Sequence, residues 1–215
     1  MRTYNLLIAD DHKMFLDGLS SILEQNENWC VRRTFRSGAE LLDFIRRNPE
    51  EPVDMVISDI SMPVMDGLVL NAEIKKQFPH IKTLFVSMHN DGERIEQAKQ
   101  DGADGYVLKN AEKEELKLAI RNILEGSKYY SEEAKAALAR YKKEDAALST
   151  VRLSKREKEV ISLIAQEFTT QEIADRLFLS KHTIESYRKN LMLKLQVKNL
   201  AGLTKYAIRT GLAEA

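Results

Sequence analysis

Short apolar runs alternate with longer amphipathic stretches over roughly the first 125 residues. The short runs, Tyr4–Ala9, Val31–Phe35, Val53–Ser58, Thr83–Val86 and Gly105–Leu108, are mostly rich in branched or aromatic residues. Between them apolar residues recur at helical spacing: Phe15, Leu19, Ile22 and Leu23, then Leu41, Leu42 and Ile45. Leu70 with Ile74, Ile95 with Ala98, and Leu116 with Ile120 and Leu124 repeat the pattern. Alternating strand and helix units predict a parallel sheet covered by helices on both faces. Five such units predict an α/β, doubly wound domain with a five-stranded parallel sheet over residues 1–126. Right-handed crossovers and the reversal of strand order place a site at the carboxyl ends of the strands. Gly126 is placed to stop the fifth helix. Residues 127–149 are rich in Ala, Lys and Glu, with Ser131 placed as a cap and only Leu138, Tyr141 and Leu148 as large apolar residues. This segment reads as a semi-rigid helical connector rather than as core. From Leu153 onward helix follows helix, with Ser154, Thr170, Ser180 and Asn199 as candidate caps, which predicts an all-α domain over residues 150–215.

Composition narrows the class. No apolar run approaches the roughly 18 residues of a membrane span, and Met1-Arg2-Thr3-Tyr4-Asn5 leads straight into a strand-like run without a signal-peptide apolar region. Cys30 is the single cysteine, expected as a buried strand residue, and cannot form an internal disulfide. Together these features predict a cytoplasmic protein that does not enter a membrane. The total charge balances but its distribution does not. Residues 150–215 hold 12 Lys/Arg against 7 Asp/Glu, a net of +5, whereas residues 1–149 carry a net of −5. A polyanionic partner is therefore expected for the second half alone.

The predicted topology gathers particular chemistry. Asp10 and Asp11 end the first strand, Asp59 the third and Ser87 the fourth, and Lys109 follows the fifth. Taken singly, an acidic residue at a strand end serves equally well as a solvated loop residue or a helix cap. Taken together, three carboxylates, a hydroxyl and an ammonium converge on one crevice. Clustered carboxylates repel unless a hard cation sits among them, and oxygen ligands of this kind suit Mg²⁺. Lys pairs with a phosphoryl group and Ser hydrogen-bonds it, while a strand-tip carboxylate can act as nucleophile towards a phosphoryl donor. Pro63 and Asp66-Gly67 are turn residues of the following loop. His12, His80, His89 and His182 are scattered without metal-ligand spacing.

The stretches Ile8-Ala9-Asp10-Asp11-His12, Ser58-Asp59 through Asp66-Gly67, Ser87-Met88-His89 and Gly105-Tyr106-Val107-Leu108-Lys109 resemble a response-regulator receiver domain of flavodoxin-like fold. The resemblance implies that Asp59 is the phosphoacceptor. It also implies that Asp10, Asp11, Asp59 and the Ser61 backbone carbonyl bind Mg²⁺. Ser87 and Lys109 would contact the phosphoryl oxygens and Tyr106 would be the aromatic that changes rotamer, although an ordinary edge-of-sheet aromatic remains the alternative for Tyr106.

In the C-terminal segment, Ile173, Ala174 and Leu177 share one helix face, and Ile184, Leu191 and Leu195 form the inward stripe of the next helix. The opposite face of that second helix displays Lys181, His182, Thr183, Glu185, Ser186, Arg188, Lys189 and Lys194. Two short helices, a tight turn and a basic second helix predict a helix-turn-helix whose Lys181, His182, Thr183, Glu185, Ser186, Arg188 and Lys189 meet double-stranded DNA. Leu153-Ser154-Lys155-Arg156-Glu157-Lys158-Glu159-Val160, with Ile173-Ala174 through Leu195, resembles the LuxR-type domain. A receiver followed by this domain is similar to the NarL/FixJ architecture. That resemblance implies a phosphorylation-dependent transcription regulator, not an enzyme beyond its own phosphorylation and dephosphorylation. Its implied partners are a sensor histidine kinase, DNA and a second copy of itself on activation. Two positions depart from the pattern: Tyr187 stands where many relatives have His, and Glu167 where they often have Gly. A phosphatase of the haloacid-dehalogenase class would need an Asp at position 61, where this chain has Ser61. A signalling adaptor that does not bind DNA is the other rival, and the basic second helix argues against it.

Overall fold

The computed structural model describes residues 2–149 and 151–213, and all of their side chains except those of 147–149, so Leu148 lies outside the described side chains. The elements run β1 (Tyr4–Ala9), α1 (Lys13–Leu23), β2 (Trp29–Phe35), α2 (Gly38–Arg47), β3 (Met55–Ser58), α3 (Gly67–Gln77), β4 (Lys82–Ser87), α4 (Gly92–Gln100), β5 (Gly105–Leu108), α5 (Lys113–Leu124), β6 (Tyr129–Tyr130) and α6 (Glu132–Ser149). Four helices follow: α7 (Lys155–Ala165), α8 (Thr170–Leu177), α9 (Lys181–Lys194) and α10 (Leu200–Arg209). Two compact units divide the chain, residues 1–142 and residues 143–215.

The first unit is the parallel sheet in the order β2-β1-β3-β4-β5-β6. Alternation along β1 explains its layers. Leu6 and Ile8 face α1 and α5, packing on Leu16, Leu19, Leu116 and Ile120. Leu7 and Ala9 face α2 and α3, packing on Leu41, Ile45, Leu70 and Ile74. Order 2-1-3 reverses the direction of winding at β1, so the carboxyl ends of β1 and β3 part their flanking helices and open a crevice there. At the opposite end of the sheet Asp104 is buried with Lys75 Nζ at 2.5 Å and the Thr83 amide at 2.9 Å.

Several expectations need correction. The sheet has six strands rather than five, because Tyr129 and Tyr130 pair in parallel with Gly105 and Tyr106. The segment after Gly126 is also not wholly a connector. Ala134 and Ala137 are buried with Ile60, Phe85, Ile95 and Tyr106, which makes the first half of α6 part of the core. Alanine has too little apolar surface to mark this in the sequence, and its burial follows from the close approach of two backbones. A Cβ at Gly92 would collide with the Ala137 carbonyl and Tyr141 Cβ. Gly126 does close α5, with φ 93°. Cys30 is half-buried rather than buried, because β2 is an edge strand.

The second unit buries Val160, Ile161, Ile164, Ile173, Ala174, Ile184, Leu191, Leu195, Leu203 and Tyr206 in one cluster drawn from α7 to α10. Ser154 caps α7 and Thr169, not Thr170, caps α8; in both cases the glutamate three residues on returns the bond to complete a capping box. Ser180 and Asn199 cap α9 and α10 as expected.

Candidate functional site

The crevice of the first unit assembles from loops that leave the strands. Asp10 directly follows β1, and Asp59 directly follows β3; both are almost wholly buried, at 1% and 5% exposure. Lys109, just past β5, extends between them, with Nζ 2.6 Å from Asp10 Oδ2 and 2.8 Å from Asp59 Oδ2. Burial disfavours the Lys109 ammonium, but bonds to Asp10 and Asp59 outweigh it and raise its pKa above the ordinary lysine value. The ammonium also lies 4.6 Å from the centre of the Phe15 ring. Asp59 Oδ1 accepts from the Ile60 amide at 2.7 Å, which fixes the carboxylate plane. Asp11 is half-exposed at the rim.

Asp10, Asp11, His12 and Asp59 each offer a ligand atom, and these atoms lie within 4.8 Å of one another. Asp11 Oδ1 is buried without a hydrogen bond, while Asp10 Oδ2 has the Lys109 ammonium as an ion-pair partner at 2.6 Å. Hard oxygen donors clustered in this way form a set able to hold a divalent cation. His12 belongs to the group although its spacing along the chain does not suggest it. The signal was its adjacency to Asp10-Asp11, since a loop leaving a strand can turn three successive residues towards one point.

Ser87 ends β4 and is fully buried, and its Oγ accepts from the His89 amide at 3.4 Å. Tyr106 is no edge aromatic but a fully buried one, with its ring 6.0 Å from that of Phe85. Its hydroxyl donates to the His89 carbonyl at 2.7 Å. Burial first, then the charges of Asp91 and Asp59, push the phenol far above its ordinary pKa, so it stays a neutral donor. Ser61 Oγ lies 2.6 Å from His89 Nε2, a contact between residues 28 positions apart that no spacing along the chain signals.

In the second unit α9 presents Lys181, His182, Glu185, Ser186 and Lys189 exposed, while Ile184, Leu191 and Leu195 point into the core. Thr183 is half-buried, its hydroxyl 2.7 Å from Ser180 Oγ at the cap. Arg188 departs from the expectation of an outward side chain. Its guanidinium donates to Thr170 Oγ1 and, at 3.3 Å, to the Phe168 carbonyl, which ties α9 to the start of α8. Lys194 likewise pairs with Glu157 of α7 at 2.8 Å. Tyr187 packs partly buried against the core rather than standing free.

Residues 6–121 match the response regulator receiver domain, and residues 151–207 match the bacterial regulatory proteins of the luxR family. The chain belongs to the response-regulator family. The regulator is 34% identical to the oxygen regulatory protein NreC of Staphylococcus haemolyticus, over 97% of its own length and 99% of that protein. NreC of Staphylococcus aureus is 35% identical over the same shares. Among solved structures, the regulator resembles two RcsB dimers bound to two parallel DNAs, with a TM-score of 0.69 and 31% identity over 95% of this chain and 98% of that one. It also resembles ChrA, the response regulator of a heme-sensing two-component system, with a TM-score of 0.60 and 25% identity over 99% and 100% of the two chains. The regulator is thus a phosphorylation-dependent transcription regulator that joins a receiver to a LuxR-type DNA-binding domain. Among the described residues no helix is long and apolar enough to cross a membrane.

Proposed function

We propose that Asp59 takes a phosphoryl group from a sensor histidine kinase and that the resulting acyl phosphate controls DNA binding by α9. The observation that carries this reading is the burial of Asp59 beside Lys109 and Asp10 at the carboxyl ends of the strands. An Asp59 carboxylate oxygen attacks phosphorus, the bond to the kinase histidine breaks, and the nitrogen leaves with its electron pair. Lys109 now bridges two carboxylates; when Asp59 is phosphorylated its ammonium transfers to the phosphoryl oxygens, joined there by the Ser87 hydroxyl. Mg²⁺ is the cofactor this donor set suits, held by Asp10, Asp11, Asp59 and the Ser61 backbone carbonyl. Bound there, it neutralises the carboxylates and the charge on the transferring group. The chain assists its own phosphorylation and dephosphorylation but turns over no other substrate. Reorientation of Tyr106, whose hydroxyl is tethered to His89 two residues beyond Ser87, is the route by which the new charge biases the receiver towards an active, dimeric state. Lys181, His182, Thr183, Glu185, Ser186 and Lys189 form the DNA-facing set, with Arg188 positioning α9 rather than reading DNA. The reading places the protein in the cytoplasm.

Incubation with acetyl phosphate and Mg²⁺ followed by intact-mass measurement tests the central step. The parent should gain one phosphoryl mass and Asp59→Asn none. An Asp59→Asn protein that still gains it overturns the assignment.

A further inference from the structure

Phe178 is the only exposed phenylalanine, tyrosine or tryptophan among the described residues, and it is 94% exposed. A lone apolar residue in water is ordinary, but the place and the backbone of this one are not. It stands in the turn between α8 and α9, where Leu177 and Leu179 on either side of it pack on the core. Its φ of 54° is left-handed, a conformation that crowds any side chain bearing a β-carbon. Hydrogen bonds hold the chain there: the Phe178 amide donates to the Asp175 carbonyl at 3.3 Å, and the Leu179 amide to the Ala174 carbonyl at 2.9 Å. The ring buries almost nothing and the backbone costs free energy, so Phe178 adds no stability to the free unit. Two residues later Ser180 caps α9, and Lys181 and His182 follow, both exposed. The ring is thus continuous along the chain with the cationic start of the helix that faces DNA.

We propose that Phe178 is a DNA contact outside the polar and charged set of α9, and that its ring packs on a deoxyribose of the strand bordering the groove. The proposal rests on the reading of α9 as the DNA-facing helix. The first turn of a recognition helix meets base edges in the major groove. Residues just ahead of that turn therefore lie over the sugar-phosphate strand at the rim. A benzene ring has no hydrogen-bonding group to offer a phosphate. The apolar surfaces of a duplex outside its stacked bases are the deoxyribose carbons and the thymine methyl groups. Only the sugar is present at every step, and only the sugar lies at the rim. A ring with two side-chain torsions on a backbone already fixed loses little freedom when it is covered. Its burial releases no counterion, whereas each phosphate-facing lysine releases one. Phe178 thus contributes affinity that is alike for all sequences and insensitive to salt.

The test uses the full chain, treated with acetyl phosphate and Mg²⁺, and short labelled duplexes that are A·T-rich, G·C-rich or mixed. Binding is followed by fluorescence anisotropy over a range of salt concentrations. Phe178→Asn removes the ring and supplies a residue that accepts the left-handed backbone. It should weaken binding to all three duplexes by roughly tenfold, the worth of a partly buried aromatic side chain. The salt slope should stay as in the parent, and the thermal midpoint should equal the parent's or exceed it. Phe178→Tyr keeps the ring and should bind within about twofold of the parent. Unchanged affinity in Phe178→Asn overturns the proposal and leaves the ring to a protein partner. A loss confined to the A·T-rich duplex also overturns it, since the contact is then a thymine methyl. So does a flatter salt slope, or a lower thermal midpoint, in Phe178→Asn. Lys189→Ala separates the proposal from the reading beneath it. If Lys189→Ala binds as the parent does, α9 is not the DNA-facing helix. If it binds weakly with a flatter slope while Phe178→Asn binds normally, only the role of Phe178 falls.

Discussion

Glu167 follows α7 with φ 64°, a left-handed backbone that crowds any residue bearing a β-carbon. Its amide donates to the Ile164 carbonyl at 3.0 Å and the Phe168 amide to the Leu163 carbonyl at 3.1 Å, the paired bonds of a Schellman helix end. This is the physical basis of the departure visible in the sequence, where relatives often carry glycine. Glu167→Gly should therefore stabilise the second unit by up to about 1 kcal/mol, seen as a higher thermal midpoint with DNA affinity unchanged. A lower midpoint would show that the glutamate side chain stabilises more than its backbone costs. Phe178 and Gln196 end α8 and α9 in the same conformation, at φ 54° and 53°. The turn of the helix-turn-helix is thus made without glycine.

At the scale of elements, β6 and α6 decide where the receiver stops. Tyr129 donates its amide to the Asp104 carbonyl and Ser131 to that of Tyr106, both at 2.9 Å, so the chain after α5 rejoins the sheet before α6 begins. Ala134 and Ala137 then close the apolar layer over Phe85 and Tyr106. A receiver fragment cut at residue 126 would leave that layer open to water. One cut at residue 142 should exceed it in unfolding free energy by at least about 2 kcal/mol, from the apolar surface of a few side chains. Chemical denaturation of the two fragments makes the comparison, and equal midpoints with equal slopes would return α6 to the role of a tether. The placement also bears on signalling, because the backbone of Tyr106 is bonded to the start of the helix that leads to the second unit.

At the scale of the molecule, an acidic receiver and a basic DNA-binding unit divide the labour. Residues 150–215 carry a net charge of +5 and residues 1–149 a net charge of −5. Affinity for DNA in such a unit comes largely from counterions released by phosphate-facing lysines and arginines. Lys189 is exposed on α9, so Lys189→Ala should weaken binding to all sequences alike and lower the salt slope by about 1, with the melting temperature unchanged. Arg188→Ala should do the reverse in one respect: it cuts the tie from α9 to Thr170 and Phe168 and lowers the melting temperature. Salt-dependent binding isotherms and thermal melts on both proteins separate the roles. A Lys189→Ala protein with unchanged affinity and slope would remove α9 from the groove.

Alternation of period two with period 3.6 determined the receiver from the sequence alone, because strand ends joined by right-handed crossovers have one edge of the sheet on which to meet. Asp10, Asp59, Ser87 and Lys109 were legible for that reason, and the inward stripe Ile184, Leu191 and Leu195 made the exposed face of α9 legible too. Other features were decided only by packing. The close approach of Ala137 depends on the missing Cβ of Gly92, 45 positions away in the chain. Arg188 turns inward because Thr170 and the Phe168 carbonyl offer acceptors 18 and 20 residues earlier. His12 joins the carboxylates because the loop after β1 folds back over its own strand end, a matter of backbone direction. Periodicity reports which face of an element is apolar; where a long polar side chain finds its partner depends on distances that exist only once the elements have packed.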